Sequence, residues 1–443
     1  MKIKSNEYTD SFLYGNRKMA MKITRLIFIG ILAIYCYSLF APSRLKILFS
    51  YNVDGSNTTN EIVIILFFFF ITIFIGKNRY STFQVNKTTL LFPIYIFLLF
   101  IIVFWGGFNI ESISQFIYAT LLFSSPILLF FIMLKFNIKY IVPLIKTIVL
   151  FSLIYAVVAI TLTMNYSYWM EIVGNDIENY RNYSQYRASM MLGSSITVSY
   201  YFNLTLPICF YLYFNTQEVK WKYISGLATI AIIIATFILL SRIAVICTIL
   251  IIIYSFIFIK GYNRRKAIST ILIIIALIFT YKSFDLSRIL NGTYLSGSST
   301  EARFEAGSLG LRIFNMNPIL GSGIGRYFER VYTNKFVTFD GVTGLIDPHN
   351  MYILILSELG LIGLILFVLL FINILKRFSN IKDNAFKHTA YLTLFVFLFD
   401  SIGGTHLFNE ISYSAILWIH LGLFYLVSIR NINDVGELIE VGK

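Results

Sequence analysis

Residues 223–260 read YISGLATIAIIIATFILLSRIAVICTILIIIYSFIFIK, an apolar run that is interrupted only by Ser241 and Arg242. A helix crosses a bilayer with about 20 mostly apolar residues, so this run is far too long for one crossing. A charged side chain is costly within the hydrocarbon, which favours a membrane surface for Arg242. The stretch therefore predicts two transmembrane helices, 223–240 and 243–260, that meet at a Ser-Arg corner.

The composition of the whole chain also indicates a membrane protein. Of 443 residues, 57% are hydrophobic and 13% are charged, whereas soluble domains carry about 25% charged residues. The three cysteines, Cys36, Cys209 and Cys247, lie in apolar runs without metal-type spacing, so neither a disulfide nor a zinc site is predicted. The chain is predicted to be an integral membrane protein.

Twelve segments have the length and apolar character of membrane spans. They are 24–41, 62–76, 89–106, 113–134, 141–163, 192–214, 223–240, 243–260, 267–281, 350–375, 388–402 and 411–428. The first follows three basic residues and has no small-residue cleavage site, so we expect it to be retained as a span rather than removed as a signal peptide.

The net charge of +14 is distributed as membrane topology requires, and for this reason we do not assign it to nucleic-acid binding. Lysines and arginines are concentrated in the amino-terminal segment and in alternate short loops, and the loops between them carry few. The positive-inside rule then predicts that both termini are cytoplasmic. Segments 42–61, 164–191, 282–349 and 403–410 are expected outside.

The predicted fold class is thus an all-α polytopic membrane protein with about 12 transmembrane helices. Residues 1–443 form a single membrane domain in this interpretation, and residues 282–349 are one large extracytoplasmic loop between spans 9 and 10. Within the loop, Thr300 and Glu301 precede ARFEAGSLGLRIF. There Phe304, Leu309 and Ile313 are expected to share the apolar face of an amphipathic helix.

The loop also holds the glycine-rich sequence GSGIG at 321–325, and four of its arginines, Arg303, Arg312, Arg326 and Arg330, lie around this sequence or in the predicted helix. A dinucleotide fingerprint needs a βαβ unit, so we interpret these glycines as a tight turn that follows Pro318. Arg312, Arg326 and Arg330 are expected on a solvated surface. Arg303 differs from them because it lies at the start of the predicted helix.

Five further residues are candidates for the same outer face. For each, a structural role competes with a functional one. Arg242 and Arg187 either serve a ligand or anchor helix ends at the interface. His349 is able to titrate near neutral pH, yet it is also placed to stabilise the start of a span in Asp347-Pro348-His349-Asn350. Asp400 either orients an outer arginine or histidine or simply contacts water, and His406 is a second candidate histidine.

Several arginines and a histidine on one face of a helical bundle indicate an anionic ligand. Guanidinium groups bind diphosphate with two hydrogen bonds and stay charged. A lipid-linked diphosphate is an anion that reaches such a place, in the outer leaflet.

The order of these residues resembles that of the O-antigen polymerase and O-antigen ligase superfamily. The segments that carry the resemblance are SRIAVICTIL, ARFEAGSLGLRIFNMNPILGSGIGRY and DPHNMYILILSELGLIGLI, within roughly 185–375. The tryptophan that often follows the loop arginine in this family is absent. Phe304 and Phe314 are expected to pack in its place.

This resemblance implies a bacterial polysaccharide polymerase of the cytoplasmic membrane that acts at its outer face. Arg303 and His349 would be catalytic, and Arg187 and Arg242 would contact the diphosphate of an undecaprenyl-diphosphate-linked sugar. Asp400 and His406 complete the predicted substrate-binding set. No metal or other cofactor is expected.

The resemblance implies a lipid-linked donor, a lipid-linked acceptor, membrane lipid and a chain-length regulator as partners. Nucleic acid is not expected as a partner. Two other functions stay open. An O-antigen ligase would move the glycan onto lipid A core from the same donor. A transporter of lipid-linked oligosaccharide would be expected to carry its polar residues near the membrane midplane.

Overall fold

The structure is a computed structural model. It describes residues 137–165, 181–182, 187–188, 195–239, 241–259, 298–323, 326–327, 330–331, 348–405 and 411–430, with a few isolated residues besides. The predicted spans 24–41, 62–76, 89–106, 113–134 and 267–281 lie outside these ranges, as do most of the predicted loop segments.

Within the described ranges, eight α-helices contain most of the residues. They are α1 (Ile141–Met164), α2 (Ser195–Asn215), α3 (Val219–Ile238), α4 (Arg242–Tyr254), α5 (Ser298–Met316), α6 (Met351–Phe378), α7 (Asn384–Asp400) and α8 (Ile411–Arg430). A 3-10 turn, Ile138–Tyr140, leads into α1, and a π-helical turn, Ser255–Ile259, extends α4. The described part is therefore helical, as predicted, apart from one small ladder. In it β1 (Arg181–Asn182) pairs antiparallel with β2 (Arg187–Ala188).

Five of the described segments are long and apolar enough to cross a membrane. They are Ile138–Met164, Val219–Ile238, Arg242–Ile259, Met351–Phe378 and Tyr413–Arg430. The division of the long apolar run is confirmed, because α3 ends at Ile238 and α4 begins at Arg242, with Ser241 as its N-cap. The total of twelve spans and the side of the membrane that each loop occupies stay predictions.

Helix α2 is the centre of the described bundle. It packs against α1, α3, α4 and α7, and more lightly against α8. Its burial explains an unusual composition, because most of its side chains are buried although they include Asn203 and several threonines and tyrosines. A helix that is surrounded by protein rather than lipid is able to carry hydroxyl and amide groups where neighbouring helices satisfy them.

Helix α5 confirms the predicted helix in the long loop, but the predicted apolar face is partly wrong. Leu309 and Ile313 are buried, as expected, at 5% and 1% exposure. Phe304 is 77% exposed and therefore does not pack in place of the missing tryptophan. Gly307 and Gly310 occur on the buried side, where a Cβ at either position would contact Ile353 of α6. The two helices approach closely because these glycines have no side chain.

The segment after α5 interlocks with a break in α6. Gly360 has φ 66° and ψ −166°, which interrupts the helix inside Met351–Phe378. Gly360 lies about 14 Å along the helix from Met351 at 1.5 Å per residue, well inside a segment that is long and apolar enough to cross a membrane. Backbone groups released by a break inside such a segment need partners from protein.

Backbone hydrogen bonds between the two segments supply those partners. The N–H groups of Leu361 and Ile362 donate to the carbonyls of Pro318 and Ile319, at 2.9 and 3.3 Å. In the other direction, the N–H groups of Ser322 and Gly323 donate to the carbonyls of Ser357 and Glu358, both at 2.9 Å. The Pro318–Gly323 part of the predicted loop therefore packs alongside α6.

The glycines of the GSGIG sequence make this contact possible. Gly321 and Gly323 have φ of 73° and 104°, the left-handed region that favours glycine. The predicted turn is confirmed at these two positions. The Glu358 carboxylate adds a further link by accepting a hydrogen bond from the Tyr327 N–H at 3.1 Å. The GSGIG segment and the part of α6 around Gly360, far apart in sequence, thus form one structural unit.

The start of α6 is capped by Asn350. Its side-chain oxygen accepts hydrogen bonds from the N–H groups of Tyr352 and Ile353, at 2.9 and 3.1 Å. We expect Asn350→Ala to lower the free energy of unfolding by about 1 kcal/mol, the usual value of an N-cap, while Asn350→Asp retains the cap. Melting temperatures of the purified variants in detergent test this. Equal melting temperatures for the alanine variant and the wild type would contradict it.

Candidate functional site

Four helix ends meet at one end of the described bundle. The N–H of Met351, at the start of α6, donates to the carbonyl of Ser401, just after α7, at 3.0 Å. The starts of α2 and α4 join them, since a Cβ added to Gly403 would contact both Ile243 and the Tyr200 hydroxyl. Three of the six candidate residues chosen from the sequence, Arg242, His349 and Asp400, lie at these ends.

Tyr200 is the residue that connects the candidates. It is 2% exposed, near the start of α2, and lies within electrostatic reach of both Asp400 and Arg303. Its hydroxyl also hydrogen-bonds with the side chain of Ser241, the residue before Arg242. The structure thus brings Arg303, Asp400 and the Ser-Arg corner around one tyrosine.

Arg303 reaches this position from the first half of α5. It shares the face of α5 that carries Gly307 and Gly310, because residues spaced by four and by seven lie on one side of a helix. That face rests on the start of α6, where Pro348 is 3.7 Å from the Cβ position of Gly310. The Arg303 side chain is half-buried. Arg312 on the same helix is exposed and serves as a natural comparison.

His349 lies directly before α6, between Pro348 and the cap Asn350. Its φ of 47° is unusual for a residue with a side chain, and such a conformation costs on the order of 1–3 kcal/mol. The side chain is half-buried. The bond between Met351 and Ser401 keeps this strained residue close to the end of α7, where Asp400 lies.

Asp400 is 1% exposed, so the alternative in which it contacts water is wrong. Its Oδ2 is 3.5 Å from the amide nitrogen of Asn203, and its side chain also contacts Cys247. Its Oδ1 is buried and has no hydrogen-bond partner among the described residues. Burial disfavours direct contact with a large substrate and suits the other alternative, in which Asp400 orients its neighbours.

The other three candidates are Arg242, Arg187 and His406. Arg242 is exposed as the first residue of α4. The backbone of Arg187 lies in β2, which packs against α1 and α2, and its side chain is not among those described. His406 lies outside the described residues.

Two residues of this region were not singled out from the sequence. Tyr200 was missed because nothing in SYYFNLTLP distinguishes it from Tyr201 beside it. Arg326 was expected on the surface, but it is 8% exposed, so that prediction is wrong. Its position directly after GSGIG was the available signal, because a segment that packs against α6 buries the residues that follow it.

The arrangement combines a fixed positive charge with a histidine at a helix start. A guanidinium that is partly removed from water binds anions more strongly than one in bulk solvent. The amino-terminal end of α6 adds the positive end of a helix dipole beside His349. Such a site is suited to bind an anionic leaving group and to hold a nearby hydroxyl.

Comparisons with known proteins locate similarity in the same part of the chain. Residues 227–368 match the profile of the family described as O-Antigen ligase, and this range includes Arg242, Arg303 and His349. The motifs that interlock at Gly321 and Gly360 also lie within it.

Two curated relatives are similar over a shorter segment. A protein of Rickettsia felis described as "Putative polysaccharide ligase" is 31% identical over 121 residues, which are 26% of this chain and 28% of the relative. A Rickettsia conorii protein with the same description is 30% identical over 119 residues, 26% of this chain and 27% of the relative. The match thus covers less than a third of the length of either relative.

Proposed function

We propose that the chain is a membrane glycosyltransferase acting on polysaccharide and a member of the O-antigen ligase and polymerase superfamily. The family match over residues 227–368 and the two relatives described as polysaccharide ligases support this proposal. The donor is an oligosaccharide linked to undecaprenyl diphosphate. Our first candidate for the acceptor is a second lipid-linked repeat unit, which makes the enzyme a polymerase of O-antigen or capsular polysaccharide. The proposal takes the chain as one membrane domain of the bacterial cytoplasmic membrane, with both termini inside and the site outside.

In the proposed reaction, a hydroxyl of the acceptor attacks the anomeric carbon of the donor sugar. The bond between that carbon and the diphosphate oxygen breaks, and its electron pair leaves with undecaprenyl diphosphate. The hydroxyl proton passes to His349, which acts as general base. The products are an elongated glycan and free undecaprenyl diphosphate.

Arg303 is proposed to stabilise the charge that develops on the departing diphosphate. Fixed donors directed at developing charge are usually the largest electrostatic contribution to catalysis. Arg242 and Arg187 are proposed to bind the diphosphate before reaction. As an exposed residue that begins α4, Arg242 is accessible to a lipid headgroup. His406 is retained as a substrate contact, and Asp400 is assigned an orienting role.

The observation that best supports the proposal is the meeting of Arg303 and the His349 segment at one end of the bundle. These residues are far apart in sequence, on α5 and before α6, and the glycine contacts of α5 with Ile353 hold them together. A purely structural loop has no need to place an arginine and a strained histidine at the same end of the bundle.

A ligase is the second candidate, and the comparisons favour it by name. The matching family is described as O-Antigen ligase, and both relatives carry ligase descriptions. In that case the acceptor is lipid A core and the donor glycan is already long. The active-site chemistry is the same for both candidates.

Deletion of the gene from its host distinguishes the two candidates. We expect surface glycan of single repeat units if the enzyme polymerises, because ligation continues without it. Long glycan that accumulates on undecaprenyl diphosphate would instead identify a ligase. Gel separation of surface and lipid-linked glycan measures both. Wild-type glycan in the deletion strain would contradict the proposed function altogether.

A transporter is not favoured by the described residues. Lys146, one of the charged residues within the predicted spans, is paired with Glu218 at 2.7 Å and lies 5.3 Å from the ring centre of Trp221. The helix break at Gly360 resembles the broken helices of transporters. Here, however, backbone groups of the Pro318–Gly323 segment occupy the positions that an ion or substrate would need.

A further inference from the structure

The buried hydroxyl of Tyr200 occupies a distinctive electrostatic position. It lies within reach of a cation, Arg303, and of an acid, Asp400, and it hydrogen-bonds with the Ser241 side chain. A phenolic hydroxyl both donates and accepts, so it is able to interact favourably with both neighbours at once. Ser241 makes no capping bond to α4 with its side chain, which leaves its hydroxyl for this contact.

A buried polar network holds the acid beneath Tyr200. The amide nitrogen of Asn203 donates to the carbonyl of Ala244 at 3.0 Å and faces Asp400 Oδ2 at 3.5 Å. The Thr248 hydroxyl donates to the amide oxygen of Asn203 at 2.7 Å. All of these side chains are buried. The network joins α2, α4 and α7, so it fixes the position of Asp400 relative to Tyr200.

Gly403 leaves the space that the Tyr200 hydroxyl occupies. A Cβ at position 403 would lie 2.7 Å from this hydroxyl oxygen and would also clash with Ile243. The end of α7 is therefore fitted closely around the hydroxyl. The tyrosine has no freedom to turn toward Gly403, and this keeps its hydroxyl within electrostatic reach of the acid and the arginine.

We propose that Tyr200 is a positioning residue, which links the Asp400 network to Arg303 and holds the guanidinium where a lipid diphosphate binds. This inference rests on the proposed function. Tyr200 touches neither the sugar nor the reacting atoms in this role. Its contribution acts through Arg303, so it disappears when Arg303 is removed.

The test is a double-mutant cycle read by binding of undecaprenyl diphosphate to the full-length protein in detergent. We expect Tyr200→Phe to weaken binding about 10-fold, the low end for losing the hydrogen bond to a charged group that the proposed positioning role requires. In an Arg303→Ala background, the same substitution is expected to have no further effect. A role confined to stability predicts the same loss in both backgrounds, because effects of independent residues add.

Two further variants control the experiment. Tyr201→Phe removes the hydroxyl of the adjacent buried tyrosine, which hydrogen-bonds with the Ser152 hydroxyl at 2.9 Å. This variant is expected to bind undecaprenyl diphosphate normally. Gly403→Ala displaces the Tyr200 hydroxyl without removing a functional group and is expected to weaken binding as Tyr200→Phe does. Melting temperatures verify that each variant is folded.

The outcomes separate the two claims. Tyr200→Phe that weakens binding equally with and without Arg303 would overturn the positioning role. Normal binding by Tyr200→Phe, while Arg303→Ala binds poorly, would overturn it as well. Both outcomes leave the proposed function standing. Failure of the folded wild-type protein to bind undecaprenyl diphosphate would remove the proposed function, and the positioning role with it.

Discussion

Arg303→Ala is expected to reduce glycosyl transfer about 100- to 1,000-fold, the range for removing one preorganised donor from a transition-state site. The reason is that Arg303 is half-buried and lies within electrostatic reach of Tyr200, so its charge is held near the other candidates. His349→Ala is expected to cause a loss of comparable size through the missing base. Purified protein and a lipid-diphosphate repeat unit, with products separated by gel, provide the measurement.

Arg312→Ala is the matched control for this prediction. Arg312 lies on the same helix, α5, but its side chain is exposed. The substitution removes an equal charge without touching the site, and activity near that of the wild type is expected. Wild-type chain lengths from both Arg303→Ala and His349→Ala would sink the catalytic assignment. Equal losses from Arg303→Ala and Arg312→Ala would show that only the overall charge of α5 matters.

The second large effect concerns folding rather than chemistry. Gly321→Ala is expected to lower the free energy of unfolding by about 2–5 kcal/mol. Its φ of 73° is costly for alanine, by about 1–2 kcal/mol. The added Cβ would also collide with the backbone of Glu358. Relief of that collision requires separation of the segment from α6, which breaks backbone hydrogen bonds worth about 1 kcal/mol each.

Gly360→Ala is expected to have a similar effect, since its Cβ would collide with the carbonyl of Ile319. Gly307→Ala is the control, because its Cβ would lie 3.4 Å from Ile353 and its backbone is helical. Melting temperatures in detergent are expected to fall for Gly321→Ala and Gly360→Ala and to change little for Gly307→Ala. An unchanged melting temperature for Gly321→Ala would mean that the interlocked segments do not stabilise the protein.

The fold class was predictable because lipid imposes a simple requirement on a sequence. The five membrane-crossing segments in the described part agree with predicted spans within a few residues, and the corner at Ser241 was located by its single charge. Helix α5 was also recognised from its pattern. The exposure of Phe304 was not predicted, because helical spacing alone does not define which face of a helix packs against its neighbours.

The candidate site was predictable in part. Arg303 and His349 were selected by motif order, and their roles stay predictions. Motif order does not reveal that Tyr200, on a different helix, interacts electrostatically with both Arg303 and Asp400. Nor does it reveal that Arg326 is buried. Both facts depend on contacts between segments that are distant along the chain.

The sequence by itself determined that this is a helical membrane protein, where its described spans begin and end, and which polar residues flank them. Hydrocarbon excludes charge and unpaired backbone, so composition and spacing are sufficient for that purpose. Only the tertiary structure decided how the long loop meets the bundle. The break at Gly360 is stable because backbone groups of Pro318–Gly323 satisfy it, and hydrogen bonds between distant segments leave no local signal in the sequence.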